Sequence, residues 1–139
     1  MFDNYSLSLA ALLLMLATMM IQTLVATVAH RKQAHYVPGI VSDTLSHDSF
    51  VFRSHRTYQN SLENVPLMAL SLLTAIATGL DPLTLGVIAW VFALARIIHT
   101  ALYYAIATER NPSPRSYFFM IGLLSNLVLL VLIAMALLN

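Results

Sequence analysis

Long apolar runs separated by short polar stretches organise this chain. The first extends from Leu7 to Ala29 and is interrupted only by Ser8, Thr18, Gln22, Thr23 and Thr27. The third, Leu83 to Ala107, carries Arg96 and His99 inside it, and the last, Tyr117 to Leu138, has Ser125 and Asn126 as its strongly polar interior residues. Each is long enough to cross a bilayer core as a helix, which takes about 20 residues at the helical rise. The second run, Val65 to Leu80, is shorter and reaches a full span only when extended back through Glu63 and Asn60 to Arg56, so its N-terminal third is polar. The pattern therefore predicts spans over about 7–29, 56–80, 83–107 and 115–138, within a single domain covering 1–139.

The connections carry their own signals. Gly79-Leu80-Asp81-Pro82 places a glycine where one helix ends and a proline where the next opens. The prolines of Glu109-Arg110-Asn111-Pro112-Ser113-Pro114 forbid one continuous helix. Pro66, just inside the second apolar run, removes a backbone donor and is expected to kink that helix. The stretch His30 to Arg53, with Pro38-Gly39, Asp43 and Asp48, reads as an ordered loop whose acids salt-bridge the neighbouring arginines. The start Met1-Phe2-Asp3-Asn4 has neither a basic leader nor a small-residue cleavage site, so the first run is expected to be a retained span.

Composition turns this pattern into a fold class. With 59% hydrophobic and 9% charged residues the chain lies far from soluble domains, in which about a quarter of residues are charged. A soluble fold of 139 residues has no way to cover that much apolar surface. The expectation is an all-α, integral membrane four-helix bundle with lipid as the solvent for its outer faces. There is no cysteine, so disulfides, thiolate metal sites and cysteine nucleophiles are excluded, and any thiol must arrive with a ligand. His30, His35, His47 and His55 show no helical pair with a third ligand and are expected to be solvated loop side chains; no metal is expected. The formal net charge of +1 adds almost nothing about partners, and no nucleic-acid partner is expected.

The distribution of charge says more than its sum. Arg31, Lys32, Arg53, Arg56, Arg110 and Arg115 flank the first-to-second and third-to-fourth connections. The positive-inside bias makes those two loops cytoplasmic and puts both termini on the opposite side. Arg53, Arg56, Asn60 and Glu63 recur at spacings of three, four and three, which places them on one helix face, and Arg96, His99 and Tyr103 recur at three and four on another. Arg115-Ser116 follows Pro114 at a helix N-terminus, whose free amides favour anions. Two readings of these groups stand side by side. In the first, Glu63 and Arg96 neutralise each other inside the bundle and the loop arginines are topology signals. In the second, four or more arginines against one or two carboxylates hold an anionic ligand, a task that suits the guanidinium fork. Elsewhere, Trp90, Met15, Met19, Met20 and Met68 read as packing or lipid-facing residues, and Ser125 and Asn126 as side chains that bond across helices.

At these positions the chain resembles the membrane-associated proteins in eicosanoid and glutathione metabolism (MAPEG), the family that includes the microsomal glutathione transferases. The string Arg53-Ser54-His55-Arg56-Thr57-Tyr58-Gln59-Asn60-Ser61-Leu62-Glu63-Asn64 is similar to the family's R-x-x-R-A-H-x-N-x-x-E-N. Ala95-Arg96-Ile97-Ile98-His99-Thr100-Ala101-Leu102-Tyr103 is similar to A-R-x-x-H-x-x-x-Y on the third helix, and Arg115-Ser116 opens the fourth. The motifs occur in order on the expected helices, and the likeness covers nearly the whole chain.

The resemblance implies a homotrimer that binds glutathione at subunit interfaces near the cytoplasmic side, between the first two helices of one subunit and the last two of the next. Carried over residue by residue, Arg31, Arg56, Asn60, Glu63, Arg96, His99 and Tyr103 hold the tripeptide. Arg115, with Ser116, stabilises its thiolate. The implied activity is a glutathione-dependent transferase or peroxidase acting on an apolar electrophile from the bilayer. The sequence departs from the family pattern in three places: Tyr58 stands where many members have histidine, Gln59 where the eicosanoid synthases often carry a basic residue, and Phe119 where several members place a tyrosine. The last leaves Arg115 in sole charge of the sulfur. The alternative function is a non-catalytic membrane scaffold or lipid-binding protein of the same fold. A transporter or channel is disfavoured by the lack of inverted repeats or paired broken helices.

Overall fold

The computed structural model describes residues 2–138, so the part of the N-terminal reading that falls on Met1 lies outside the described residues. A 3-10 turn, Phe2–Tyr5, leads into α1 (Ser6–Arg31), followed by α2 (Phe50–Ala77), α3 (Pro82–Ala105) and α4 (Pro114–Leu138). The all-helical architecture is the one the apolar runs predict. Helix α3 packs on α1, α2 and α4, and α2 also packs on α1 and α4. Helices α1, α3 and α4 are each long and apolar enough to cross a membrane; α2 does not pass that test, because its first half is polar.

The largest boundary difference lies at α2, which begins at Phe50 rather than Arg56 and runs unbroken through Pro66. Polar side chains in its first turns bond back to their own helix: Ser54 Oγ donates to the Val51 carbonyl (3.1 Å) and Thr57 Oγ1 to that of Arg53 (2.7 Å). A polar sequence is thereby kept helical at no cost in stranded hydroxyls. The connection between α1 and α2 accordingly shortens to residues 32–49.

The core is built where α1, α2, α3 and α4 meet, from Met15, Met68, Leu72, Leu85, Phe92 and Leu129, with Ala11, Ala75, Ala89 and Ala93 allowing close helix approach. Leucines such as Leu13, Leu70, Leu83, Leu124 and Leu137 point outward. That inversion of the usual soluble pattern suits a bundle solvated by lipid or by neighbouring subunits. Trp90 packs against the core and donates from Nε1 to the Leu7 carbonyl (3.0 Å), while Tyr5 Oη donates to that of Leu80 (2.8 Å), tying the N-terminal turn to the α2–α3 connection. Met15 and Met68 are core residues and Met20 is exposed.

The α2–α3 connection follows its sequence closely. Gly79 has φ of 73°, and the Gly79 and Leu80 amides return to the Ile76 (3.1 Å) and Ala75 (3.0 Å) carbonyls, closing α2 with a Schellman motif. Asp81 then caps α3 by accepting from the Thr84 amide (2.8 Å) and hydroxyl (2.7 Å), bonds that hold its carboxyl below the usual carboxylate range. Since only glycine adopts this φ without strain, Gly79→Ala should cost about 1 kcal/mol. Denaturant unfolding in detergent should register that loss, with helix content unchanged.

Two expectations about polar pairing are corrected. Ser125 Oγ donates to the Ile121 carbonyl of its own helix (2.8 Å), not across helices, because a carbonyl one turn back is within reach without any partner helix. Asp43 and Asp48 do not salt-bridge the loop arginines: Arg53 Nη1 donates instead to the backbone carbonyls of His47 (2.6 Å) and Asp48 (2.9 Å). Among the described residues the one ion pair is Arg56–Glu63.

Candidate functional site

The motif on α2 divides between two neighbouring stripes. At about 100° per residue, Arg53, Arg56, Asn60 and Glu63 fall within an arc of about 80°. The structure turns one edge of that arc inward and leaves the other exposed. Arg53 Nη2 approaches the Tyr104 carbonyl of α3 (3.4 Å), and Asn60 Oδ1 accepts from Arg96 Nη2 at 2.6 Å. On the outer edge Arg56 Nη1 donates to Glu63 Oε1 and Gln59 Oε1, both at 3.3 Å. Glu63 therefore pairs with Arg56 two turns away on its own helix, and no direct ion pair joins it to Arg96 among the described residues. Arg96 is buried, with 3% of its surface exposed, and is held by neutral partners, Asn60 and, at 3.4 Å, Ser61 Oγ. Its aliphatic stem lies against α4 at Gly122, where an added Cβ would sit 3.5 Å from Arg96 Cδ.

The α3 motif is buried and continues into the half-buried start of α4. His99 and Tyr103, one turn apart, meet edge to face at 5.6 Å between ring centroids, and Phe119 of α4 lies 6.4 Å from His99. The Arg115 guanidinium lies over the Tyr103 ring, 4.1 Å from its centroid, a cation–π geometry. Its Nη2 donates to the Thr108 carbonyl (2.9 Å). Its Nη1 is buried and has no hydrogen-bond partner among the described residues. The same is true of His99 Nδ1 and Arg96 Nε. Buried polar atoms without a partner are costly unless something completes them, and these three belong to the α3 motif and the start of α4. Ser116 is placed differently: its Oγ accepts from the Ser113 amide (3.1 Å) and meets Ser113 Oγ (3.2 Å), closing the first turn of α4.

Arg31 sits elsewhere. It is exposed at the end of α1 and lines a cavity of about 370 Å³ between α1, α2 and the 32–49 connection. Val41, Val51 and Leu62 share this lining with His55, Tyr58 and Gln59, so the cavity mixes apolar and polar side chains beside one arginine. The structure thus brings Asn60 together with Arg96, and His99 with Tyr103 and Arg115. It leaves Arg31, Arg56 and Glu63 on the α1–α2 side of the same subunit.

Residues outside the expected set also enter. His47 comes from the loop to lie 5.7 Å from Tyr103, centroid to centroid, and 3.5 Å through Nδ1 from Arg115 Nη2. Burial, foremost, and then the neighbouring Arg115 push its imidazole below the usual histidine range; Glu109 opposes this, while Arg53 and Arg56 add to it. Gln22 of α1 donates to Thr100 Oγ1 of α3 (2.7 Å), which in turn donates to the Arg96 carbonyl (2.9 Å). A polar residue mid-span, such as Gln22, was the visible signal for that link. His47 offered none beyond being a histidine.

Comparison with known proteins adds one finding. The sequence matches the MAPEG family over residues 7–135, which takes in all four helices but for the outermost residues of the first and last. Searches of curated proteins and of solved structures give no significant match.

Proposed function

The chain belongs to the MAPEG family, and we propose that it is a membrane-bound glutathione transferase or peroxidase acting on apolar electrophiles that reach it through the bilayer. In this reading α2 is the fourth membrane span, its polar half lying at the cytoplasmic mouth with the two basic connections. Both termini then lie across the membrane. Three copies assemble so that the α1–α2 side of one subunit, with Arg31, Arg56 and Glu63, faces the Arg115 end of the next.

The observation that carries the reading is the half-buried guanidinium of Arg115, stacked on Tyr103 with its buried Nη1 unpaired among the described residues. A thiol of pKa about 8.5 is only about 3% ionised at pH 7, and a neighbouring guanidinium raises that fraction. Glutathione supplies the thiol that this cysteine-free chain lacks. The separation of Arg31 from Arg115 within one subunit supports a site completed between copies. Asn60, Arg96, His99 and Tyr103 hold the tripeptide, and Ser116 acts by fixing the α4 N-terminus from which Arg115 extends.

The test is calorimetric titration of glutathione into the purified protein, together with conjugation of 1-chloro-2,4-dinitrobenzene. Binding at or below millimolar concentration with turnover is the expected result. No binding at millimolar concentration would leave the scaffold or lipid-binding alternative. The Arg56–Glu63 pair gives a sharper check. Its side chains are 42% and 55% exposed, and such pairs contribute at most about 1 kcal/mol to stability. Arg56→Ala and Glu63→Ala should therefore leave unfolding nearly unchanged while weakening glutathione affinity about tenfold, a loss of about 1.4 kcal/mol. Equal affinity in both variants would remove them from the site.

A further inference from the structure

The loop between α1 and α2 reaches the basic end of α3 and α4 through the His47 side chain. Arg53 Nη1 donates to the His47 carbonyl at 2.6 Å, pinning the loop backbone at that residue. The imidazole is then held on two sides, edge to face with Phe52 at 4.9 Å and tilted against Tyr103 at 5.7 Å. Its Nδ1 points at Arg115 Nη2, 3.5 Å away, at the long end of hydrogen-bond reach. Tyr103 is therefore touched by both partners, since Arg115 lies over its ring.

Chemistry fixes the direction of this contact. A guanidinium only donates, so Nδ1 must carry the lone pair and the ring proton must sit on Nε2. We propose that His47 is a positioning residue: its Nδ1 accepts from Arg115 and, together with Tyr103 and the Thr108 carbonyl, sets the orientation in which Nη1 faces the thiol. This rests on the proposed glutathione chemistry for its functional meaning, while the contact itself does not.

The contact is also a proton-sensitive one. The charged and titratable groups around the imidazole are Arg53 and Arg56 of α2, Tyr103 of α3, Arg115 of α4 and Glu109 of the α3–α4 connection. Burial and three of the four charges favour the neutral ring, which is the accepting form. A proton on Nδ1 replaces the lone pair with a donor and sets two cations against each other. As pH falls through the lowered pKa of His47, Arg115 loses one of its anchors and turnover declines.

Two substitutions separate acceptor from packing. His47→Phe keeps a ring for Phe52 and Tyr103 but offers no lone pair; kcat for 1-chloro-2,4-dinitrobenzene should fall about tenfold with KM for glutathione nearly unchanged. His47→Asn offers a carbonyl oxygen at a similar reach and should rescue most of that loss. It should also abolish the acid limb that His47 sets in the kcat profile below the ordinary histidine range, because the new acceptor does not titrate there. A readout independent of catalysis is nitrogen NMR of the histidines in lipid nanodiscs, with the His47 signal assigned by its loss in His47→Asn. His47 should appear as the Nε2–H tautomer, and its titration should move to higher pH in Arg115→Gln. A His47→Phe protein with full kcat and an unaltered pH profile overturns the proposal, as does a His47 titration indifferent to Arg115→Gln. A protein that neither binds nor conjugates glutathione overturns the transferase reading instead; an Arg115-dependent titration of His47 in that protein still supports the pairing.

Discussion

Arg115→Ala should reduce conjugation of a generic electrophile about a hundredfold while glutathione affinity falls by no more than about fivefold. The magnitude follows from two separate losses. Without a cation beside it, a thiol in a half-buried site has a pKa above the ordinary 8.5, so its ionised fraction at pH 7 drops from tens of per cent to below about 3%. Part of that loss is returned, because a more basic thiolate is a better nucleophile, with a Brønsted slope of about 0.4–0.5. Ionisation, net of that return, therefore accounts for only about two- to fivefold. The rest comes from orientation: Arg115 is stacked on Tyr103 at 4.1 Å and bound to the Thr108 carbonyl at 2.9 Å, so its free Nη1 has a fixed direction in which to hold a sulfur.

Arg115→Lys tests that division. Lysine keeps the charge but not the planar fork or the stacking, so it should recover the thiolate absorbance of bound glutathione more fully than it recovers kcat. Phe119 lends weight to the experiment, since the ring near His99 carries no hydroxyl to share the work. Full activity in Arg115→Ala would remove the mechanism altogether.

What the sequence made legible, and what it did not, divides by the kind of interaction. Helices α1, α3 and α4 were readable because membrane spans leave runs of about 20 apolar residues, and the Gly79–Pro82 turn because a positive φ and a helix start each select a residue type. The first turns of α2 were not, because Ser54 and Thr57 look like loop residues until their hydroxyls are seen returning to the Val51 and Arg53 carbonyls. The ladder of Arg96, His99 and Tyr103 follows directly from helical spacing. Which acid meets which base does not: Glu63 and Arg96 suggested a pair, yet two turns of helix bring Glu63 within reach of Arg56, and Asn60 takes Arg96. Backbone acceptors are the least visible of all. Arg53 binding the His47 and Asp48 carbonyls depends on where the chain goes and on no side chain at the accepting positions.

Asn60→Leu should be the most destabilising of these substitutions, by about 3 kcal/mol, measured by reversible denaturant unfolding in detergent without glutathione. Neutral hydrogen bonds between helices in membranes average only about 0.6 kcal/mol, so the size of the effect must come from the charge. Arg96 is 97% buried by its 3% exposure, its Nε has no partner among the described residues, and its short contact is the 2.6 Å bond to Asn60. Removing that acceptor leaves Ser61 Oγ at 3.4 Å as the remaining recorded partner for a cation that has no nearby bulk water. The reverse change is milder. Arg96→Leu leaves behind only a partly exposed amide that is free to turn toward solvent, so its cost should be about 1 kcal/mol. The double variant Asn60→Leu/Arg96→Leu should then be more stable than Asn60→Leu alone, with a coupling of about 2 kcal/mol between the sites. That sign decides what the pair is for. If the two residues existed only to grip a ligand, the unliganded protein would tolerate Asn60→Leu and the cycle would close near zero. A large coupling without glutathione means that the bundle itself needs Asn60 to keep a buried guanidinium in place, and that the ligand meets a cation already fixed before it arrives.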